Sequence, residues 1–170
     1  MLPYVRSLKN QFILISTGTW SIALNPFVER TLSKKDVADD CINYMRINGK
    51  PVKSARLFLG NEYSIQVKKL TEHYGVDKDY HKTVKFDPEI HYEIVKEFEK
   101  LFKWESIDDP EMPEETHLRY TSFEDAYHHL MMELVLLQVE SIKSAKGNMT
   151  IEKLFVDGGF SDNDIYIHLL

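Results

Sequence analysis

Hydrophobic positions near the start of the chain follow the period of a β-strand. Residues 11–25, QFILISTGTWSIALN, hold a short apolar run, a Ser-Thr-Gly-Thr break and then a strict alternation of large apolar residues with small or polar ones. Alternation of this kind is typical of a strand with two different faces. We therefore predict a β-hairpin whose first strand is buried on both faces, with its tight reversal at Gly18 and its end at Asn25-Pro26.

Two further segments have the period of a strand. Residues 40–47, DCINYMRI, alternate in the same way and precede the turn signal Asn48-Gly49, so they are predicted to form a third strand. Near the end of the chain, Leu154-Phe155-Val156 predicts a short strand that runs directly into Asp157-Gly158-Gly159.

Apolar residues at helical spacing predict two helices in the middle of the chain. The first stops at Gly75, a typical helix end, and its apolar face is formed by Tyr63, Val67, Leu70 and Tyr74. The second begins with Asp87 as its N-cap and Pro88 at its first position, and its apolar face is formed by Ile90, Ile94, Phe98 and Leu101.

The longest helix is predicted to follow an acidic segment. Residues 104–120 carry several Asp, Glu and Pro residues without any hydrophobic period, which indicates a solvated surface connection. A capping box at residues 121–124, TSFE, begins the helix, which runs to about Lys146. A last helix is capped by Ser161 or Asp162, and the order β-β-β-α-α-α-β-α predicts a mixed α/β protein.

Composition narrows the class of protein. The 170 residues, 43% hydrophobic and 28% charged, suit one globular domain with a sizeable core. A net charge of −6 without a basic block disfavours a nucleic-acid partner, and the apolar run at 12–15 is far too short for a membrane span or an export signal. The single cysteine, Cys41, cannot form an internal disulfide, which fits a cytoplasmic location.

Signatures of common cofactor sites are absent from the sequence. It contains no GxxxxGK[ST] phosphate loop, no GxGxxG fingerprint and no HExxH zinc pair. Seven histidines are scattered along the chain, and the adjacent pair His128-His129 faces different ways on a helix. We therefore predict no metal site.

Two glycine-centred segments are candidates for ligand binding. Ser16-Thr17-Gly18-Thr19 at a hairpin tip offers hydroxyls and backbone N–H groups, which can hold a polyphosphate without cationic side chains. The second segment, residues 156–161, runs from a strand through Gly158-Gly159 to a helix N-terminus, where a ligand can approach the backbone closely. Each segment alone is also consistent with an ordinary turn.

Together, in this order and about 140 residues apart, the two segments are more specific. The sequence resembles the C-terminal half of the FGGY carbohydrate kinases, members of the actin-like ATPase superfamily. The similar stretches are ISTGTWSIALNPF at 15–27, ARLFLGNEY at 55–63, SFEDAYHHLMMEL at 122–134 and LFVDGGFSDND at 154–164, so the resemblance covers nearly the whole chain. The Thr-Gly-Thr-Trp form is most similar to the branch that acts on deoxy-ketoses, rhamnulose or fuculose.

This resemblance implies a fold. We expect a ribonuclease H-like α/β domain of the actin and hexokinase ATPase type, with a mixed sheet, a β-hairpin and packing helices. Residues 1–170 would form a partial C-terminal (ATPase) domain that is truncated at both ends.

The resemblance also implies roles for individual residues. Thr17, Gly18 and Thr19 match the hairpin that meets the β- and γ-phosphates of ATP in such kinases, and Mg²⁺ assists the transfer. Gly158 and Gly159 match the adenosine motif, and Asn163 matches the Asn that usually follows it. No residue matches the catalytic Asp, the general base, which is expected upstream of this chain within a missing N-terminal domain that also carries most of the sugar pocket.

The implied function is transfer of the ATP γ-phosphoryl group to a (deoxy-)ketose hydroxyl, with this chain supplying the phosphate hairpin and the adenosine loop. The chain alone is expected to be inactive. The alternative is a non-catalytic actin-like module that binds a nucleotide or a protein, and a purely structural α/β domain is a third reading. We also expect the strand at 154–157 to be an open sheet edge through which the chain could form a homodimer.

Overall fold

A five-stranded mixed sheet organises the protein. The computed structural model describes residues 10–108 and 119–170. The strands are β1 (Phe12–Thr17), β2 (Ser21–Asn25), β3 (Cys41–Met45), β4 (Pro51–Leu57) and β5 (Lys153–Gly158), and their order in the sheet is β3-β4-β2-β1-β5. β1 and β5 are parallel, while the other neighbours are antiparallel. The mixed α/β prediction is thus confirmed.

The predicted hairpin is confirmed as β1 and β2. The first four residues of β1 are buried, as expected for a strand covered on both faces. In β2 it is the small and polar side, Ser21, Ala23 and Asn25, that is fully buried, while Ile22 and Leu24 are only partly buried. The small side chains leave room for the long helix that crosses this face, and Asn25 Nδ2 donates to the carbonyl of Ala145 on that helix at 3.1 Å.

The sequence pattern missed one strand and one short helix. β4 shows no alternation because both of its faces are covered, so residues 52–55 are all buried. Its first residue is Pro51, a position where a strand tolerates proline. A short helix, α1 (Lys34–Ala38), was also not predicted, and Ser33 and Asp36 form a reciprocal capping box at its start.

The other helices are α2 (Leu59–Tyr74), α3 (Pro88–Lys96), α4 (Phe123–Lys146) and α5 (Asp164–Leu169), with 3₁₀ turns at Tyr80–Lys82 and Gly159–Asp162. Two predicted boundaries are confirmed. Gly75 ends α2 in the left-handed conformation, with φ +64°. The Asp87 side chain caps α3 by accepting from the N–H groups of Glu89 and Ile90.

Three predicted details of the helices are wrong. α3 ends at Lys96, so Phe98 and Leu101 lie beyond it in an irregular segment. Ser122, not Thr121, caps α4 by accepting from Asp125 N. Residues 159–162 form a 3₁₀ turn, which delays α5 and makes Asn163 its cap in place of Ser161 or Asp162.

The core lies between α4 and the elements around it. α4 packs against α2, α3, α5 and the strands β1, β2 and β4. Its buried apolar residues include Tyr127, Leu130, Met131 and Leu134. Among the helices of the described residues, none has the length and apolar character needed to cross a membrane.

The acidic segment begins inside the core and not at the surface. Trp104 is only 2% exposed, and the buried carboxylate of Glu62 accepts from the N–H groups of Glu105 and Ser106 at 2.8 and 2.9 Å. The solvated connection predicted from residue 104 is therefore wrong at this end, because acidic and polar neighbours mask one large apolar anchor in the sequence. Its remainder, residues 109–118, lies outside the described residues.

A buried ion pair holds α1 to strand β4 of the sheet. Lys53 of β4 is 1% exposed and donates to Asp36, which also lies 3.2 Å from Arg30 Nη1. The Ser33 N–H donates to the same carboxylate at 2.8 Å. These hydrogen bonds lower the pKa of Asp36 below its usual range, and the bond from Lys53 has a larger effect than the bond from Ser33.

We predict that Asp36→Asn destabilises the protein at pH 7 by about 3–5 kcal/mol, because it leaves a buried lysine charge without its partner. A carboxyl pKa that is lowered by folding stabilises above its unfolded value of about 3.9, and that stabilisation is lost as the pH falls towards the folded value. The difference between wild type and variant should therefore shrink below about pH 4 in urea denaturation followed by circular dichroism.

Asp79→Asn is the control. The pKa of Asp79 is also lowered, by Lys82, but this ion pair is exposed, so the substitution should leave the unfolding free energy nearly unchanged. Equal losses in the two variants would contradict the prediction.

Candidate functional site

A cleft opens where the β1–β2 turn, the start of α2 and the residues after β5 come together. We name residues 18–20 the hairpin tip and residues 158–160 the glycine loop. The cleft has a volume of about 420 Å³ and is lined by Gly18, Thr19, Gly60, Asn61, Tyr63, Ser64, Gly159, Phe160 and Asn163. The parallel pairing of β1 with β5 brings the hairpin tip and the glycine loop to the same edge of the sheet.

The hairpin tip packs directly on the first turn of α2. The N–H groups of Gly60 and Asn61 both donate to the carbonyl of Thr19, at 3.1 and 3.3 Å. A Cβ atom at position 60 would lie 1.9 Å from the carbonyl oxygen of Gly18. Only glycine fits here, so the absence of one side chain lets the helix start touch the backbone of the turn.

The glycine loop packs on the last residue of β1 in the same manner. Gly158 has φ +90°, a conformation that side chains rarely adopt, and a Cβ there would lie 1.9 Å from the carbonyl oxygen of Thr17. The Thr17 hydroxyl donates to the carbonyl of Asp157 at 2.7 Å and accepts from Phe160 N at 3.0 Å. These contacts fix the loop relative to the hairpin.

Tyr63 and Asn163 form a wall of the cleft, and the buried Tyr127 connects them. The hydroxyls of Tyr63 and Tyr127 are 2.9 Å apart, and Asn163 Nδ2 donates to Tyr127 Oη at 2.8 Å. Burial raises the pKa of both tyrosines, so the wall stays neutral at ordinary pH. The Asn163 side chain also accepts from Tyr166 N at 3.0 Å, which ties the wall to the start of α5.

A second cleft of about 380 Å³ continues the first. The two share Tyr63, Gly159 and Asn163, and the second adds His81, Lys82, Val84, Lys85, Asp162 and Asp164. Burial lowers the pKa of His81, and its ring meets the ring of Tyr63 edge-on at 5.9 Å. A groove lined by aromatic, polar and charged side chains, the last being Lys82, Lys85, Asp162 and Asp164, thus extends away from the hairpin tip.

The structure places the residues singled out by sequence in two groups. Gly18, Thr19, Gly159 and Asn163 line the cleft together, and Gly18, Thr19 and Gly159 are exposed. Thr17 and Gly158 lie next to the lining, where Thr17 is 6% exposed and its hydroxyl contacts only the protein.

Sequence reasoning missed four lining residues, Gly60, Asn61, Tyr63 and Ser64. A signal was present in the sequence, since a glycine within the first turn of a predicted helix lowers helix stability and calls for a packing reason. The tertiary contact that supplies the reason, between Gly60 and Gly18, is invisible in the local pattern.

The cleft offers binding groups but no acid or base. None of the described residues that line it is a carboxylate. Asp157, which precedes the glycine loop, is exposed and its Oδ1 accepts from Gly158 N at 2.9 Å. The arrangement can therefore orient a ligand through backbone groups, hydroxyls and amides.

Metal ligands do not converge in residues 10–108 and 119–170, where no cluster of three or more His, Cys, Asp or Glu side chains could hold an ion. The adjacent histidines have separate partners. His128 Nε2 accepts from Asp87 N at 2.9 Å, while His129 lies 2.6 Å from the hydroxyl of Tyr120 and 3.0 Å from the carbonyl of Glu99. Both histidines thus serve the packing of α4 against the segments around it.

We predict that Gly60→Ala and Gly158→Ala each lower the unfolding free energy by about 1–3 kcal/mol, because each methyl group would overlap a carbonyl oxygen. Gly159→Ala is the matched control. A Cβ at position 159 meets no atom within 4 Å, so its effect should stay within about 0.5 kcal/mol. Chemical denaturation of the three variants checks this, and an unchanged Gly158→Ala would contradict it.

The chain is similar to known carbohydrate kinases. Residues 9–92 match the profile of the family described as "Carbohydrate kinase FGGY, C-terminal domain". No curated protein matches the chain's sequence.

Two solved structures share the fold. A carbohydrate kinase from Novosphingobium aromaticivorans matches with a TM-score of 0.66 and 18% identity, over 99% of this chain and 36% of that one. Xylulose kinase from Bifidobacterium adolescentis matches with a TM-score of 0.56 and 17% identity, over 94% of this chain and 31% of that one. The chain therefore spans about a third of the length of these structures.

The expected ribonuclease H-like fold, with its mixed five-stranded sheet, is confirmed by these findings. They do not distinguish a rhamnulokinase or fuculokinase subtype. Residues 9–92 are thus similar to the C-terminal domain of FGGY carbohydrate kinases, and the chain shares the fold of the two solved kinase structures.

Proposed function

We propose that this chain is the nucleotide-binding part of an ATP-dependent sugar kinase. The observation that carries the proposal is the cleft itself, in which two glycine segments far apart in sequence face one ligand-sized space. Residues 1–170 would be a partial C-terminal domain of a cytoplasmic enzyme that transfers the ATP γ-phosphoryl group to a (deoxy-)ketose hydroxyl. The rhamnulose or fuculose branch remains our choice of substrate class.

The hairpin tip would meet the β- and γ-phosphates. Gly18 and Thr19 are exposed on the cleft, and the Thr19 side chain adds a hydroxyl to the backbone of the turn. Backbone groups and hydroxyls in a tight turn can hold phosphate oxygens without a fixed cation. Thr17 belongs to the same segment and supports it through the hydrogen bonds of its hydroxyl to Asp157 and Phe160.

The glycine loop would seat the adenosine. Gly159 leaves open space above the backbone, and Gly158 keeps the chain close to β1. The neutral wall of Tyr63 and Asn163 suits an uncharged sugar and base. This is the division of the site that the family resemblance implies.

Mg²⁺ would enter with the phosphates. Since no carboxylate lines the cleft among the described residues, the groups present fit a metal ion held largely by the nucleotide and water. Bound Mg²⁺ would neutralise charge on the phosphates, while this chain's residues position them. We place the general-base Asp and most of the sugar pocket in a separate N-terminal domain, so this chain by itself should bind nucleotide without phosphorylating sugar.

We predict weak Mg-ATP binding, with a Kd of about 1 mM or higher, near −4 kcal/mol. In an NMR titration the amide signals of Gly18 and Gly158 should shift. Gly18→Ala and Gly159→Ala should each raise the Kd by about three- to tenfold, since each adds a methyl group to the cleft without overlapping the protein.

Ser16→Ala is the control, because Ser16 is exposed but lies outside the cleft lining. It should bind like wild type. If Mg-ATP shifts unrelated surface amides while Gly18 and Gly158 stay unchanged, the proposed site is wrong.

We also propose that the chain self-associates through the strand at 154–157. β5 is the last strand of the sheet in the described part of the chain, and Leu154 on it is 40% exposed. An edge strand offers main-chain groups to another strand. A charged side chain can discourage such pairing, and at the start of β5 the charged residue is Lys153.

We predict that the apparent molecular mass of the chain in sedimentation equilibrium rises with protein concentration. Leu154→Lys should shift the equilibrium towards the monomer. Tyr44→Lys, on the opposite edge strand β3, is the matched control and should leave the association unchanged. A monomer at every concentration would refute the proposal.

A further inference from the structure

Thr17 lies at the contact between the two halves of the proposed site. It is the last residue of β1, is 6% exposed and is paired in register with Gly158 of β5. Gly18 and Thr19, which follow it, are both exposed on the cleft. Thr17 therefore differs from its neighbours, because its side chain faces protein and not the cleft.

The hydroxyl of Thr17 is engaged in both directions. It donates its proton to the carbonyl of Asp157 at 2.7 Å and accepts the N–H of Phe160 at 3.0 Å. These two partners flank Gly158 and Gly159, so one oxygen atom bridges the strand end to both sides of the glycine loop. A hydroxyl has a single proton, and here that proton is already bonded to protein.

Position 158 has no room for a side chain beside this oxygen. A Cβ there would lie 3.0 Å from Thr17 Oγ1 and 1.9 Å from the Thr17 carbonyl oxygen. The loop can thus approach Thr17 only because position 158 has no side chain. Together, the hydroxyl bridge and the glycine set the distance between the hairpin tip and the glycine loop.

We propose that Thr17 is a positioning residue that sets the spacing between the hairpin tip and the glycine loop, and that it does not itself bind the phosphates. The inference rests on the proposed nucleotide site. It assigns to Thr17 a different task from that of Thr19, although the two residues belong to one Thr-Gly-Thr segment. A ligand that touches both halves of the site depends on this spacing, whereas a ligand that touches the hairpin tip alone does not.

The test compares Thr17→Val, which keeps the shape but removes the hydroxyl, with Thr17→Ser, which keeps the hydroxyl. Thr71→Val is the matched control, since Thr71 is 7% exposed in α2 and its hydroxyl donates within the helix to the carbonyl of Lys68 at 2.9 Å. Binding of Mg-ATP and of Mg-tripolyphosphate to the full chain is followed by amide shifts. Hydrogen exchange of the Phe160 amide reports directly on the bridge.

We expect Thr17→Val to raise the Kd for Mg-ATP about tenfold, to leave the Kd for Mg-tripolyphosphate within about twofold and to speed exchange of the Phe160 amide about tenfold. Thr17→Ser should restore all three values. Thr71→Val should leave both Kd values and the Phe160 exchange as in wild type.

Other outcomes overturn the proposal in distinguishable ways. If Thr17→Val weakens tripolyphosphate as much as ATP, Thr17 binds phosphate directly. If Phe160 exchange rises while both Kd values stay constant, the bridge has only a structural role. If wild type binds neither ligand, the proposed function fails and the ligand-dependent role of Thr17 fails with it. The bridge itself would still be established if the Phe160 amide exchanges slowly in wild type and Thr17→Ser but fast in Thr17→Val.

Discussion

The parallel pairing of β1 with β5 is the constraint on which the candidate site depends. Parallel strands end at the same edge of a sheet, so the turn after β1 and the loop after β5 must emerge side by side. The register pairs Thr17 with Gly158, although 141 positions separate them along the chain. Everything in the cleft follows from this placement, because neither glycine segment carries enough chemistry to bind a ligand on its own.

Close backbone approach then converts a shared edge into a defined cleft. Gly60 lets the start of α2 touch the hairpin from one side, and Gly158 lets the loop touch β1 from the other. The N–H groups of Gly60 and Asn61, the second and third residues of α2, are used by the carbonyl of Thr19, so the helix start acts as a support for the turn. The groups left for a ligand are consequently those of the turn and the loop.

Local pattern predicted the elements and the two segments of the site, but not the contacts between them. The hairpin, α2 and α4 were predicted because one face of each has a clear period. β4 was missed since it is covered on both faces, and the buried Trp104 was missed since its neighbours are acidic and polar. For the site, the glycines at 18 and 159 were found as breaks in the pattern, whereas the role of Gly60 depends on a carbonyl that lies 42 residues away.

The same physical reason explains why Thr17 and Thr19 look equivalent in the sequence and differ in the structure. A strand alternates its side chains between two faces, and the turn begins at the next residue, so Thr17 points into the sheet contact while Thr19 lies on the exposed turn. The lysines of the adjoining cleft, Lys82 and Lys85, pair with Asp79 and Asp164. A phosphate at the hairpin tip would therefore be held by backbone geometry, and that geometry is only as accurate as the contact between β1 and the glycine loop.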